Sequence, residues 1–497
     1  YRAPTTMTER LLCDLYAQLT GVNPVSVDDQ FFSIGGDSIL AIRLVSLSHQ
    51  SGLHFSVRDV FQSLTPERLA AVATWRSETA PTTWEETGAI SPLPVYRQFL
   101  ALSGSLRRFN QAVRLIAPEG MTRARAQRLL NRLVDHHASL RMRTQGEGEQ
   151  TQFWIDETQD HPVLKLELLD LSTRLLTDRA AAVQEELLNL SDALDPSQAG
   201  GMMVARWVQH AHQTCELLLV LHHYVVDGVS WRILLEDLAR LTEDEHRALG
   251  AHTMSLKAWS QYLQVQGETG ARHHELPIWH RQFTGASALP QDRVIAPASN
   301  ILANAAFLQG RLSAQVTREL FKAPAVYYGQ INDVLLAALG LALGRWAQTC
   351  YQTQLSAPLI ALEGHGRETD VDLSRTVGWF TSVYPVQLPM AGLDVEHAQH
   401  YGHAIKRVKA QLRSLPDKGL GYGILRYLDA QSGLNDETDV APQLTFNYMG
   451  RFERAEQTDA SQWRIHAQGM SIKPLKYRQS SISSSCLICT TVGNIGG

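Results

Sequence analysis

The sequence predicts a multidomain chain in which a small four-helix bundle is followed by a much larger α/β region. Three observations carry this expectation. The chain has 497 residues, more than one ordinary core organises, so two or three compact units are expected. Leucines recur at helical spacing up to about residue 75. Beyond a polar, proline-bearing stretch from Ser77 to Ser91 ("SETAPTTWEETGAIS"), helical patterns alternate with short apolar runs of strand length.

In the first unit, Leu11, Leu12, Leu15 and Leu19 share a helix face that ends at Gly21. A long loop leads to a helix from about Ser38 to Gln50, with Leu40, Leu44 and Leu47 on one stripe. Thr65 caps a further helix and Pro66 occupies its first turn. In the second unit, Arg123 to His136, Ala180 to Leu190 and Ile331 to Trp346 read as helices. Glu216 to Leu221 fits a strand buried on both faces, and Leu355 to Leu362 and Ser382 to Leu388 are further strands. The last 19 residues, Gln479 to Gly497, carry no charge; an edge strand and a disordered tail both fit them.

Composition narrows the function classes. A net charge of −5 and a pI near 6.5, with no basic run, exclude nucleic acid as a bulk electrostatic partner. No uninterrupted apolar stretch is long enough to span a bilayer, so no membrane partner is expected. The start, Tyr1-Arg2-Ala3-Pro4, reads as a linker within a longer polypeptide. Five scattered cysteines argue against a disulfide framework and for a reducing cytoplasm. Cys486 and Cys489 form a lone C-x-x-C with no second pair for zinc, so no metal is expected.

Asp37 is placed to cap the helix that opens at Ser38, and first-turn N–H groups favour a phosphate there. Gly35 and Gly36 remove side-chain bulk, giving a second protein close access. Alone, this is a capped helix start. In context, Phe31-Phe32, then Gly35-Gly36-Asp37-Ser38, then Ile39-Leu40-Ala41-Ile42-Arg43-Leu44 resembles the peptidyl carrier protein of nonribosomal peptide synthetases over about residues 4–76. The resemblance implies that Ser38 carries 4′-phosphopantetheine, whose thiol holds an aminoacyl or peptidyl thioester. An aspartate directly before the serine is similar to the carrier subtype that precedes an epimerization domain.

Leu221-His222-His223-Tyr224-Val225-Val226-Asp227-Gly228-Val229-Ser230-Trp231 follows the buried strand. Histidine suits proton transfer near neutrality. Adjacent strand histidines point to opposite sides, and no third metal ligand is near in sequence. The string H-H-x-x-x-D-G-x-S-W resembles the core motif of the condensation and epimerization superfamily, with its two-lobed chloramphenicol-acetyltransferase-like fold. The resemblance implies that His223 is the active-site histidine and that His222, Ser230 and Trp231 support it. Asp227 is implied to be structural and to pair with an arginine, Arg141 by the family's pattern, with Arg143 the alternative.

Four later segments are similar to epimerization-domain motifs: Ala361-Leu362-Glu363-Gly364-His365-Gly366-Arg367-Glu368; Thr376 to Thr381 with Tyr384-Pro385; the glycine-rich Asp417 to Leu425; and Phe446-Asn447-Tyr448-Met449-Gly450. Gly419, Gly421 and Gly423 lack the G-x-G-x-x-G spacing of a dinucleotide site and read better as a backbone crossing or tight turn. A thioester acidifies the adjacent Cα–H, and inversion is easiest with one acid/base group on each face. Glu363 and His223, 140 positions apart, are expected to flank the substrate from different lobes. Tyr448, Asn447 or backbone N–H groups are candidate donors to the enolate oxygen. One departure stands out: epimerization domains often show His-Trp-Asn-Gln early on, whereas here Arg108-Phe109-Asn110-Gln111 occurs.

The expected organisation is a carrier domain at 1–76, a linker at 77–90, an epimerization domain at 91–478 with lobes at about 91–270 and 271–478, and a tail at 479–497. The tail departs from the family's usual closing strands. Implied partners are an upstream adenylation domain, the downstream condensation domain of the next module and a phosphopantetheinyl transferase. Rival expectations are an amide-forming condensation domain and a catalytically silent docking module. Glu363 within its motif argues against the first, and the intact His223, Asp227 and Glu363 against the second.

Overall fold

A computed structural model describes residues 1–76, 84–101, 107–211, 214–250, 253–293, 304, 306, 308–434, 441–452, 461–471 and 486–493. The first helix, α1 (Met7–Thr20), starts where Thr6 and Glu9 cap each other's backbone N–H groups and stops at Gly21 in the left-handed region. It buries Leu12, Leu15 and Leu19, and α2 (Ser38–Gln50) buries Ala41, Leu44 and Val45 against it. A two-residue strand, β1 (Leu53–His54), leads to α3 (Val57–Ser63) and to α4 (Pro66–Val72), which has Thr65 as its cap. β2 (Thr74–Trp75) then pairs antiparallel with β1, a clasp the leucine pattern does not announce.

Gly36 has an internal reason in addition to access. A Cβ there would lie 2.5 Å from the Phe31 ring and 2.6 Å from the Phe31 carbonyl oxygen. The Phe31 ring is fully buried and packs edge-on against Tyr16. Bringing α2 over that ring leaves no room for a side chain.

The next lobe comprises β3 (Gly88–Ile90), α5 (Pro94–Leu100), β4 (Asn110–Ile116), α6 (Arg123–His136), β5 (Met142–Gln145), β6 (Gln152–Ile155), β7 (Glu167–Asp170), α7 (Leu176–Ala193), β8 (Met203–Gln209), β9 (Cys215–His222), α8 (Gly228–Glu243) and α9 (Leu256–Glu268). β4, β9, β8 and β7 are consecutive in one sheet, with β9 central and buried along Glu216–His222 as its unbroken apolar run requires.

The last lobe is built from α10 (Leu276–Phe283), α11 (Ala314–Val326), α12 (Ile331–Tyr351), β10 (Leu359–Gly364), β11 (Ser382–Gln387), α13 (Ala398–Arg413), α14 (Leu420–Tyr427), β12 (Leu444–Phe452), β13 (Arg464–Ser471) and β14 (Cys486–Gly493). Its sheet runs β11-β10-β12-β14, while β13 crosses back to pair with β4 in the other lobe. Of the uncharged C-terminal stretch, Cys486–Gly493 is thus a strand, parallel to β12 at the sheet edge; residues 479–485 and 494–497 lie outside the described residues, as do 77–83 of the expected linker. The glycine-rich segment is mostly helix: Gly421 and Gly423 sit in α14, where a Cβ would meet the Glu275 carboxylate at 1.9 Å and Pro94 at 3.0 Å. Close crossing of elements is their role. Among the described residues no single helix is long and apolar enough to cross a membrane.

The bundle rests on the larger domain through polar contacts. Arg43 pairs with Glu236 at 3.2 Å, His49 with Asp372 at 2.8 Å, and Arg58 with Asp370 and Asp417 at 2.5 and 2.9 Å. The Lys418 ammonium lies 3.9 Å from the Phe61 ring centroid.

Gly36→Ala is expected to lower the stability of the bundle by about 1–3 kcal/mol, the usual cost of overpacking, and to slow pantetheinylation of Ser38 in parallel. Thermal melts and mass spectrometry of the chain check this; a variant as stable as the wild type would leave access as the glycine's sole role.

Candidate active site

The strand β9 ends in two histidines with different surroundings. His222 is fully buried, and its Nδ1 accepts the Tyr224 N–H at 3.2 Å, which turns the chain out of the sheet. His223 opens that turn and is half-buried. Its ring stacks on Phe109 with centroids 4.7 Å apart and planes 9° apart, and Trp379 lies 4.4 Å away on centroids. Gln111 Nε2 donates to His223 Nε2 at 2.8 Å, while Trp231 Nε1 donates to Gln111 Oε1 at 2.8 Å. The indole thus fixes which end of the carboxamide faces the imidazole, and the imidazole presents Nε2 as an acceptor. Burial among these rings pushes His223 down to about 4, so it is neutral at pH 7.

Glu363 stands near the end of β10 in the other lobe. β10 and β12 pair in parallel with Leu362 opposite Phe446, so Asn447 comes beside Glu363 and its Nδ2 donates to Oε2. Burial pushes the Glu363 carboxyl up to about 7, against the opposing pull of the Asn447 hydrogen bond. Asn447 and Tyr448, expected together as donors to an enolate oxygen, are separated by the strand period of two. Asn447 faces Glu363, whereas the Tyr448 ring packs with Phe446 against the lobe's apolar core. One Asn447 N–H is therefore committed to Glu363 and not to substrate.

The arginine partner of Asp227 is Arg367, which corrects the expectation for Arg141. Arg367 Nη2 lies 3.2 Å from both Asp227 carboxylate oxygens. Both side chains are buried. Arg367 also donates to the carbonyls of Leu373 and Thr376 at 2.9 and 2.7 Å and to Ser230 Oγ at 3.1 Å, and its guanidinium lies over the Phe380 ring at 4.0 Å. Asp227 accepts N–H groups from Ser230 at 2.7 Å and from Phe380 at 3.1 Å. Arg141 instead spends its donors on the carbonyls of Val134, Asp135 and Asp156 at 2.7, 2.8 and 3.0 Å. It lies just past the C-terminus of α6, whose last carbonyls lack helical partners. Arg143 pairs with Asp156 at 2.7 Å.

The latch joins the two lobes at the site. Asp227 is four residues past His223, and Arg367 is four residues past Glu363. Gly366 permits the approach: its φ is +66°, and a Cβ would fall 1.7 Å from the Phe380 carbonyl oxygen. Ser230 closes the arrangement, donating to the Gly378 carbonyl at 2.8 Å and accepting the Gly378 N–H at 3.0 Å.

At the bundle, Asp37 Oδ1 accepts the N–H groups of Ile39 and Leu40 at 3.0 and 2.8 Å. Ser38, half-buried, starts α2 beside this cap. Those two N–H groups are thus already satisfied, which changes the expectation that they await a phosphate. A serine hydroxyl at the surface of a helical bundle, with its neighbouring carboxylate held inward, fits a phosphodiester attachment point. Sequence reasoning missed Gln111, Phe109 and Trp379 as neighbours of His223. The Arg108-Phe109-Asn110-Gln111 segment carried the signal, because the β4–β9 pairing sets Gln111 opposite Leu221 at the histidine end of the strand.

Comparison with known proteins agrees with this architecture. The condensation-domain family matches residues 96–483, and the phosphopantetheine attachment site family matches residues 10–73. The chain belongs to the condensation-domain family and carries a phosphopantetheine attachment domain ahead of it, the pairing found in nonribosomal peptide synthetases, with 4′-phosphopantetheine as covalent cofactor. It is 36% identical over 472 residues to a linear gramicidin synthase of Brevibacillus parabrevis, covering 91% of this chain and 6% of that protein. It is 32% identical over 475 residues to tyrocidine synthase 1 of the same organism, covering 92% of this chain and 42% of that protein. The chain therefore spans less than half the length of these relatives. Among solved structures, the epimerization domain from the third module of tyrocidine synthetase B superposes with a TM-score of 0.72 at 28% identity, covering 84% of this chain and 91% of that one.

Asp227→Asn is expected to destabilise the large domain by about 3–5 kcal/mol, because it leaves the Arg367 charge buried without its partner. Adding Arg367→Met should recover part of that loss. Urea unfolding of the three variants checks this, and a single variant within about 1 kcal/mol of wild type, a small fraction of a domain's stability, would deny the latch its weight.

Proposed function

We propose that this chain is a carrier–epimerization pair that inverts the Cα of an L-aminoacyl or peptidyl thioester held on Ser38, giving an L/D mixture. The observation that carries the reading is the buried Asp227–Arg367 pair, which ties the turn bearing His223 to the strand end bearing Glu363 in the other lobe; burial also lowers the imidazole and raises the carboxyl. The likeness to a solved epimerization domain at 28% identity supports it, whereas a solved condensation domain matches at 17% with a TM-score of 0.57.

The phosphopantetheine arm on Ser38 supplies a tether and a thioester, which acidifies the substrate Cα–H. The His223 imidazole and the Glu363 carboxyl then work as a pair, one removing the proton from one face while the other donates a proton to the opposite face. Each turnover passes the pair's single proton from one side of the substrate to the other, so the one-proton form serves both directions. Trp231 and Gln111 orient the imidazole, and Asn447 orients the carboxyl. Asp227 and Arg367 hold the two strand ends at fixed separation. An adenylation domain acting before this chain would supply the L-aminoacyl group, and a condensation domain of the next module would take up the product.

The pH dependence follows from the two shifts. The pair holds two protons below about 4, one between about 4 and about 7, and none above. Cα exchange should therefore be bell-shaped with limbs near these values.

The test is to load the chain with an L-aminoacyl or peptidyl pantetheine in deuterated water and to follow Cα deuterium and the D/L ratio. Glu363→Gln and His223→Gln should each lower exchange by about 10²–10⁴-fold, and Glu363→Gln should also abolish the upper pH limb. Absence of exchange in the wild type, with amide formation to an added amine, would establish condensation instead.

A further inference from the structure

The phosphodiester on Ser38 sits at the start of a helix whose own cation, Arg43, is paired with Glu236 at 3.2 Å. Asp37 adds a second negative charge beside it and already occupies the N–H groups of Ile39 and Leu40. The dipole of α2 alone is a weak counter-charge at a partly solvated end. The larger domain offers a further cation close to this end of the helix.

α8 touches α2 through two polar side-chain contacts. Glu236 pairs with Arg43 at 3.2 Å, and Arg240 Nη2 donates to Gln50 Oε1 at 3.1 Å. Arg232, Glu236 and Arg240 recur every four residues, so they share one face of α8. Following both helices back from these contacts toward their N-termini brings Arg232 to the Asp37–Ser38 end of α2. The electrostatics agree: burial lowers the Arg232 guanidinium, and Asp37 is the foremost charge opposing that, with Glu236 and Tyr448 also acting on it. Arg232 thus lies within electrostatic range of the carrier's aspartate and of Tyr448 on β12. It is also two residues beyond Ser230, which the Arg367 latch holds in position.

We propose that Arg232 binds the phosphodiester of the Ser38-linked arm and so fixes the point at which the arm passes between the lobes. The inference rests on the reading of Ser38 as the attachment site. A guanidinium suits the task, since its planar fork takes two phosphate oxygens at once and stays charged when partly buried. Binding here adds one anion to a cluster in which Arg232 and Arg43 face Asp37 and Glu236. It favours the docked carrier only once the arm is installed, so the arm itself selects the docked state.

The test is phosphorus NMR of the full chain after pantetheinylation, with mass spectrometry confirming the loaded serine. In the wild type the phosphodiester resonance should be displaced from its position in the urea-unfolded chain. Arg232→Gln should lose most of that displacement, Arg232→Lys should keep part of it, and Arg240→Gln, two turns further along α8 beside Gln50 and Asp237, should keep it all. Pantetheinylation should raise the melting temperature of the wild type more than that of Arg232→Gln. A wild-type resonance at the unfolded position, or a displacement unchanged in Arg232→Gln and Arg232→Lys, overturns the proposal. If Arg232→Gln does not fold, an undiminished displacement in Arg232→Lys overturns it alone. Absence of any loaded Ser38 would instead overturn the attachment-site reading.

Discussion

The buried ion pair between Asp227 and Arg367 is the constraint on which the rest of the site depends. Removing two charges from water costs several kcal/mol per ion unless every donor and acceptor finds a partner. Here the carboxylate takes the N–H groups of Ser230 and Phe380, and the guanidinium takes two carbonyls and a hydroxyl. These bonds come from both sides of the division between the lobes. A pair held by this many bonds sets the relation between the strand ends that carry His223 and Glu363.

Within that frame, environment sets the two groups apart from ordinary histidine and glutamate. Apolar walls lower the imidazole and raise the carboxyl, because each loses solvation for its charged form. The same rings that shift His223 also hold its orientation: Phe109 stacks on it and Trp379 tilts against it. Phe109 supplies a flat face on which the imidazole rests. Gln111 completes the arrangement by linking the imidazole to Trp231 inside α8.

The carrier is held by a different kind of force. Two of its ion pairs to the larger domain, Arg43–Glu236 and Arg58–Asp370, are part-exposed, and pairs of that kind contribute about 0–1 kcal/mol each. Arg43–Glu236 and Arg58–Asp370 therefore specify where the bundle sits without making it permanent. The latch excludes water, whereas the docking pairs at Arg43 and Arg58 are part-exposed.

Much of this was legible in one dimension. Leucine spacing placed the carrier helices, an unbroken apolar run placed β9, and local capping chemistry placed α1, α2 and α4, since each rests on neighbours in sequence. The family resemblance singled out Ser38, His223 and Glu363. The partner of Asp227 was not legible, because several arginines stand in suitable motifs and only folding decides which guanidinium is left near a carboxylate. Arg141 lost that place to the unpartnered carbonyls ending α6, and Arg367 won it through the turn at Gly366. Gln111, the return of β13 to the first lobe and the division of Asn447 from Tyr448 likewise depend on strand pairing between distant segments. Sequence by itself determined which chemical groups the protein owns and which local elements carry them. Tertiary structure decided which groups meet, because long-range pairing and the exclusion of water are properties of the packed chain and not of any stretch within it.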